Sequence, residues 1–120
     1  MTQLGTPVTV PIGRPEDLPP GRGATIELEV GDCTVEVAVF NVGGQFFAID
    51  NACSHRGGPL GEGLLEGSVV ECPWHGFRFD VRTGACIDTG YELPGPTFPL
   101  NSYPVALGDD GELYLTYRSS

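Results

Sequence analysis

Lysine is absent from this 120-residue chain. Its six basic residues, Arg14, Arg22, Arg56, Arg78, Arg82 and Arg118, stand against sixteen carboxylates, and the formal net charge is −10. So acidic a surface has little with which to neutralise phosphates, which excludes non-specific nucleic-acid binding. Histidine is nearly absent as well, His55 and His75 being the only two. No apolar run approaches the roughly 20 residues of a membrane-spanning helix, so no membrane partner is expected. Residues 1–13 lack the basic-then-apolar pattern of a secretory signal. A cytoplasmic setting, in which thiols stay reduced, is therefore expected. The length rules out a large two-domain enzyme and suggests a single domain over residues 1–120.

Gly (18) and Pro (11) are plentiful, and both disfavour helix interiors. The apolar share of 40% is nevertheless too high for a disordered acidic chain. Alternation supplies the fold signal. Ile26, Leu28 and Val30 face one way and Thr25, Glu27 and Glu29 the other, a half-buried strand over 24–30. Residues 34–40 repeat this through Val35, Val37 and Val39, and Gly43-Gly44 turns the chain into a strand over 45–49. Further strands are expected at 6–10, 68–72, 77–81, 85–88, 103–107 and 112–117, the last two joined by Gly108-Asp109-Asp110-Gly111. Residues 51–67 hold five glycines and Pro59 and read as one long loop, of the kind that is usually functional. Residues 93–99 contain three prolines and read as a stiff loop. The sum is an all-β domain of about nine short strands.

Both histidines fall in short motifs beside cysteine: Cys53-Ser54-His55 and, sixteen residues further on, Cys72-Pro73-Trp74-His75. Thiolate and imidazole suit zinc, copper or iron–sulfur clusters better than magnesium or calcium. Two Cys and two His can close a tetrahedral zinc site. Each arm here mixes the two donor types, as a binuclear cluster with differently ligated irons would require. Cys33 and Cys86 have no histidine nearby; they read as buried thiols or as a disulfide pair.

These motifs with their flanks, Cys53-Ser54-His55-Arg56-Gly57-Gly58-Pro59-Leu60 and Cys72-Pro73-Trp74-His75-Gly76-Phe77-Arg78-Phe79-Asp80, resemble the two cluster-binding loops of Rieske [2Fe–2S] proteins. The chain from Ala24 onward is similar to small bacterial Rieske-type ferredoxins. The resemblance implies a Rieske-like antiparallel β-sandwich with a small cluster-binding subdomain, its loops at about 51–61 and 71–80. It implies one [2Fe–2S] cluster, with Cys53 and Cys72 on the inner iron and His55 and His75 on the outer one. The segment 93–99 would be the family's proline loop, covering the cluster.

High-potential members carry an additional Cys in each loop, and a Ser and a Tyr whose hydroxyls bond to cluster sulfurs. The matching positions here hold Gly58, Trp74, Phe77 and Phe79. Without those donors the potential is expected at the low end of the Rieske range, roughly −150 mV. With both histidines used, none remains for a two-His, one-carboxylate catalytic iron. The resemblance thus implies an electron carrier and not an enzyme. Its partners would be a flavin-dependent NAD(P)H ferredoxin reductase and a terminal oxygenase, in an aromatic ring-hydroxylating system. Two alternatives remain at this stage: a small subunit of a larger oxidoreductase such as assimilatory nitrite reductase, and a zinc-stabilised interaction domain. The acidic surface is either a solvated face or a means of steering a basic partner.

Overall fold

A computed structural model of the chain describes residues 7–30, 33–51, 59–73, 77–88 and 100–117. Eleven strands run through them: β1 (Val8–Gly13), β2 (Gly23–Val30), β3 (Cys33–Val42), β4 (Gln45–Asp50), β5 (Leu64–Glu66), β6 (Val69–Glu71), β7 (Arg78–Asp80), β8 (Cys86–Asp88), β9 (Ser102–Tyr103), β10 (Val105–Leu107) and β11 (Leu113–Tyr117). Two single 3-10 turns, Pro15–Asp17 and Leu60–Glu62, are the helical elements among the described residues. The strands form three sheets, ordered β1-β11-β10, β2-β3-β4-β9 and β5-β6-β7-β8. Every pairing is antiparallel.

The middle sheet is shared. In β3 the four residues Val37, Ala38, Val39 and Phe40 are all buried, because the strand is covered on both faces. Val37 and Val39 join Leu28, Ala48, Tyr103 and Leu115 in the core of the sandwich, against β1 and β11. Ala38 and Phe40, with Ile49 of β4, face the opposite way and meet Leu60, Val70, Cys72, Phe77, Phe79, Val81 and Leu100. Alternation of side chains along a strand makes this division automatic. The small sheet β5–β8 therefore sits on the second face of the middle sheet, as a separate subdomain.

That subdomain leaves the sandwich at the end of β4 and returns just before β9. A clasp joins exit and return. The Asp50 N–H donates to the Asn101 carbonyl (3.0 Å), and the Asn101 N–H donates back to Asp50 Oδ2 (2.9 Å). The Tyr103 hydroxyl donates to Asp50 Oδ1, while its ring stacks on Tyr117 with centroids 4.9 Å apart. On the subdomain side, Gly84 and Leu100 touch backbone to backbone, with the Leu100 N–H on the Gly84 carbonyl at 2.8 Å. Gly84 has φ +83°, and a Cβ there would collide with the Leu100 carbonyl.

Three expectations from the sequence need correction. The first strand reaches Gly13 instead of stopping at residue 10. Pairing with β11 runs from Val8↔Tyr117 to Gly13↔Leu113, and Pro11 is tolerated because β1 is an edge strand with an irregularity at that point. The expected loop over 51–67 contains β5, whose Leu64 pairs with Glu71. The expected strand over 103–107 is two strands: Tyr103 pairs with Ala48 in the middle sheet and Val105 with Leu115 in the outer one. Pro104 makes the corner; it has no N–H to offer a ladder, and its carbonyl accepts from Thr116 (3.0 Å). The segment 93–99 lies outside the described residues.

Burial, then the neighbouring Asp50 carboxylate, pushes the Tyr103 hydroxyl pKa well above that of an ordinary tyrosine. A pKa raised by folding means stability that is intact below the unfolded value, near 10, and lost as pH climbs toward the folded one. Tyr103→Phe is expected to lower unfolding free energy by about 1–2 kcal/mol at pH 7, and to flatten the loss of stability above about pH 10, in urea titrations. Gly84→Ala is expected to cost at least about 2 kcal/mol in the same measurement, since it combines a left-handed backbone with a backbone clash.

Candidate metal centre

Of the four expected ligands, Cys72 lies among the described residues, and Cys53, His55 and His75 lie outside them. So do Arg56, Gly57, Gly58, Trp74 and Gly76. What the structure gives is the foundation of the two loops expected to carry the ligands, and each foundation is joined by backbone hydrogen bonding.

The second loop rises from the β6–β7 hairpin. The Cys72 N–H donates to the Phe77 carbonyl at 2.7 Å, which joins the two feet of this loop. One step further out, Glu71 and Arg78 are cross-strand partners with an ion pair at 3.2 Å. Cys72 itself is 1% exposed. It is packed in the same core as Leu60, Phe77 and Phe79. The hairpin's far end is fixed by Asp80. Its carboxylate accepts from the Arg82 N–H (2.9 Å) and guanidinium (3.1 Å), and its carbonyl accepts from Gly84 (2.7 Å). Hydrogen bonding from Arg82 holds the Asp80 carboxyl below the usual range, despite partial burial.

The first loop begins and ends at Asn51. The Asn51 carbonyl accepts from the Leu60 N–H at 2.8 Å, which joins the two feet of this loop. The Asn51 side chain, 4% exposed, fixes the same foot a second time. Its Oδ1 accepts from the Gly61 N–H (2.8 Å) and from Thr25 Oγ1 (3.1 Å), and its Nδ2 donates to Glu36 Oε1 (3.2 Å). Leu60, fully buried, then anchors this foot in the core that also holds Cys72.

A buried Cys at the mouth of a closed hairpin fits a cluster ligand. In apolar surroundings the thiolate is disfavoured unless a cation compensates it, and coordination to iron supplies that compensation. Phe77 and Phe79 line the stem with rings 6.4 Å apart and carry no hydroxyl that could donate to a sulfide. Cys33 begins β3 in the middle sheet and Cys86 begins β8 in the small one, where it is half-buried against the core. Sequence reading passed over Asn51, Asp50 and Tyr103. Nothing local marks them, since the partners their side chains hydrogen-bond are 10 to 53 residues away.

Comparison with known proteins fits this foundation. Residues 8–104 match the Rieske [2Fe-2S] domain family. The chain is 40% identical over 102 residues to the 3-phenylpropionate/cinnamic acid dioxygenase ferredoxin subunit of Photorhabdus laumondii subsp. laumondii, covering 84% of this chain and 87% of that one. Its fold matches a chain in the complex of reduced oxygenase and oxidised ferredoxin in carbazole 1,9a-dioxygenase. There the TM-score is 0.78 and the identity 30%, over 94% of this chain and 96% of that one. A Mycobacterium tuberculosis protein assigned as the small subunit of an NADH-dependent nitrite reductase aligns with TM-score 0.77 over 95% and 98% of the two chains. At 22% identity that likeness shows the fold alone. The zinc readings are thereby set aside, and the chain belongs to the Rieske [2Fe–2S] family as a ferredoxin-type electron carrier with one such cluster.

Proposed function

We propose that this chain is the ferredoxin of an aromatic ring-hydroxylating dioxygenase system, taking one electron at a time from an NAD(P)H-dependent flavin reductase and delivering it to a terminal oxygenase. The observation that carries this reading is near end-to-end similarity to a dioxygenase ferredoxin subunit, at 40% identity. A cytoplasmic location goes with such a system; among the described residues no helix is long and apolar enough to cross a membrane. No observation beyond shared fold favours a nitrite reductase subunit.

Cys53 and Cys72 are assigned to the inner iron, and His55 and His75 to the outer iron. When bound, the cluster supplies reversible one-electron storage. The chain's own contribution is to exclude water from the inner side, through Leu60, Cys72 and Phe77, and to withhold hydroxyl donors, through Phe77 and Phe79. Hydrogen bonds to cluster sulfurs stabilise the reduced state, so withholding them lowers the potential. The surface of net charge −10 suits docking to a basic patch on a partner.

Two outcomes are expected. Single replacement of Cys53, His55, Cys72 or His75 by Ala abolishes the EPR signal of the dithionite-reduced cluster, whereas Cys33→Ser and Cys86→Ser keep it. An unchanged signal in any of the first four would remove that residue from the ligand set. In stopped-flow mixing, the reduced protein is reoxidised by an aromatic ring-hydroxylating terminal oxygenase, more slowly as ionic strength rises. Absence of electron transfer to any such oxygenase would defeat the dioxygenase assignment. A rate indifferent to salt would leave the acidic surface a role in solubility alone.

A further inference from the structure

Among the described residues, one buried polar side chain ties the foot of the first loop to two strands of the middle sheet. We propose that Asn51 is a positioning residue for the cluster, holding the loop that bears Cys53 and His55 in register with the second loop and so setting the cluster's potential and retention. This inference rests on the ligand assignment above.

Asn51 is buried, and both ends of its amide are engaged. Oδ1 accepts two hydrogen bonds, from Gly61 and Thr25, and Nδ2 donates one to Glu36. Four stretches of chain therefore meet there: β2 through Thr25, β3 through Glu36, the end of β4 through Asn51 itself, and the returning loop through Leu60 and Gly61. The closeness of the seat is set by Gly61. A Cβ on it would collide with Thr25 Oγ1 and lie 2.7 Å from both the Ala24 carbonyl carbon and the Thr25 nitrogen. The loop's foot thus lies directly on the β2 backbone with no side chain between them.

Neither a carboxylate nor an apolar side chain meets these demands. Asp at position 51 would turn a carboxylate toward Glu36. Ala or Leu would strand the Gly61 N–H and Glu36 without their partner. Because Leu60 and Cys72 share one core, a shift of the first foot changes the distance between the two ligand pairs. The middle sheet, in contrast, is held by its own ladders, with eight paired positions between β2 and β3 and six between β3 and β4. Loss of the Asn51 amide should therefore loosen the loop and leave the sandwich intact.

The test compares the intact cluster-loaded protein with Asn51→Ala and Thr25→Val, by EPR-monitored redox titration and by the half-life of the cluster in a ferrous chelator. Removing groups that orient metal ligands typically costs 10–100-fold in metal retention. Asn51→Ala is expected to shorten the half-life at least tenfold, broaden the EPR signal and move the midpoint, with far-ultraviolet circular dichroism unchanged. Thr25→Val, which removes one of the two donors to Oδ1, is expected to do the same to a lesser degree, and it decides the matter if Asn51→Ala does not fold. Variants that melt earlier but keep the parent's midpoint, line shape and half-life would show a purely structural role and overturn the proposal. A parent protein with no Rieske-type signal would instead overturn the ligand assignment itself.

Discussion

Everything in this fold depends on the centre of one sheet being apolar on both faces. Strands β3 and β4 close the sandwich with one set of side chains and carry the cluster-binding sheet with the other. The cost is four consecutive buried apolar residues, Val37 to Phe40, in a strand of an antiparallel protein that would ordinarily show one face to water. The gain is rigidity. The subdomain has only short strands of its own, and the middle sheet covers its apolar face. Seated on Ala38, Phe40 and Ile49 and clasped at Asp50, Asn101 and Tyr103, it becomes a fixed platform for two loops.

The same platform explains the electrostatics of the centre. Its inner side is hydrocarbon: Leu60, Val70, Phe77 and Phe79 surround Cys72. Charge is kept to the outside, in the Glu71–Arg78 and Asp80–Arg82 pairs that brace the hairpin. Beyond the first loop's foot, Glu27 and Glu36 stand directly opposite each other on β2 and β3, an arrangement that like charges make unfavourable. The Asn51 amide draws Glu36 into a hydrogen bond, and the Thr34 hydroxyl does the same for neighbouring Glu29. The acidic face is thus tied into the fold locally, while the excess of carboxylates as a whole remains available to solvent and partners.

Much of this was legible in the sequence. Period-two alternation gave β2 and β3, Gly43-Gly44 gave the turn into β4, and Gly108-Asp109-Asp110-Gly111 gave the last hairpin. The two Cys–His motifs gave the family, because their residue types and spacing are rarely met together by chance. What stayed hidden is long-range in origin. Residues 34–40 read as an alternating, half-buried strand, and the burial of Ala38 and Phe40 on its other face follows only from the second layer. Strand β5 is three residues amid glycines and acquires its ladder only from β6. The strand over 103–107 alternates properly, yet Pro104 sends its halves to different sheets. Asn51 looks like an ordinary polar residue before a loop, and only its contacts with Thr25, Glu36 and Gly61 reveal what it holds.

The central claim is that this platform holds one low-potential Rieske cluster. Iron and acid-labile sulfide analysis of the purified protein, combined with an EPR-monitored redox titration, tests it most directly. The account predicts two irons and two sulfides per chain and a rhombic signal in the reduced state. It also predicts a negative midpoint of roughly −150 mV, because Phe77 and Phe79 withhold hydroxyls from the sulfurs. A positive midpoint would contradict that reasoning, and a colourless protein holding zinc without sulfide would contradict the cluster itself.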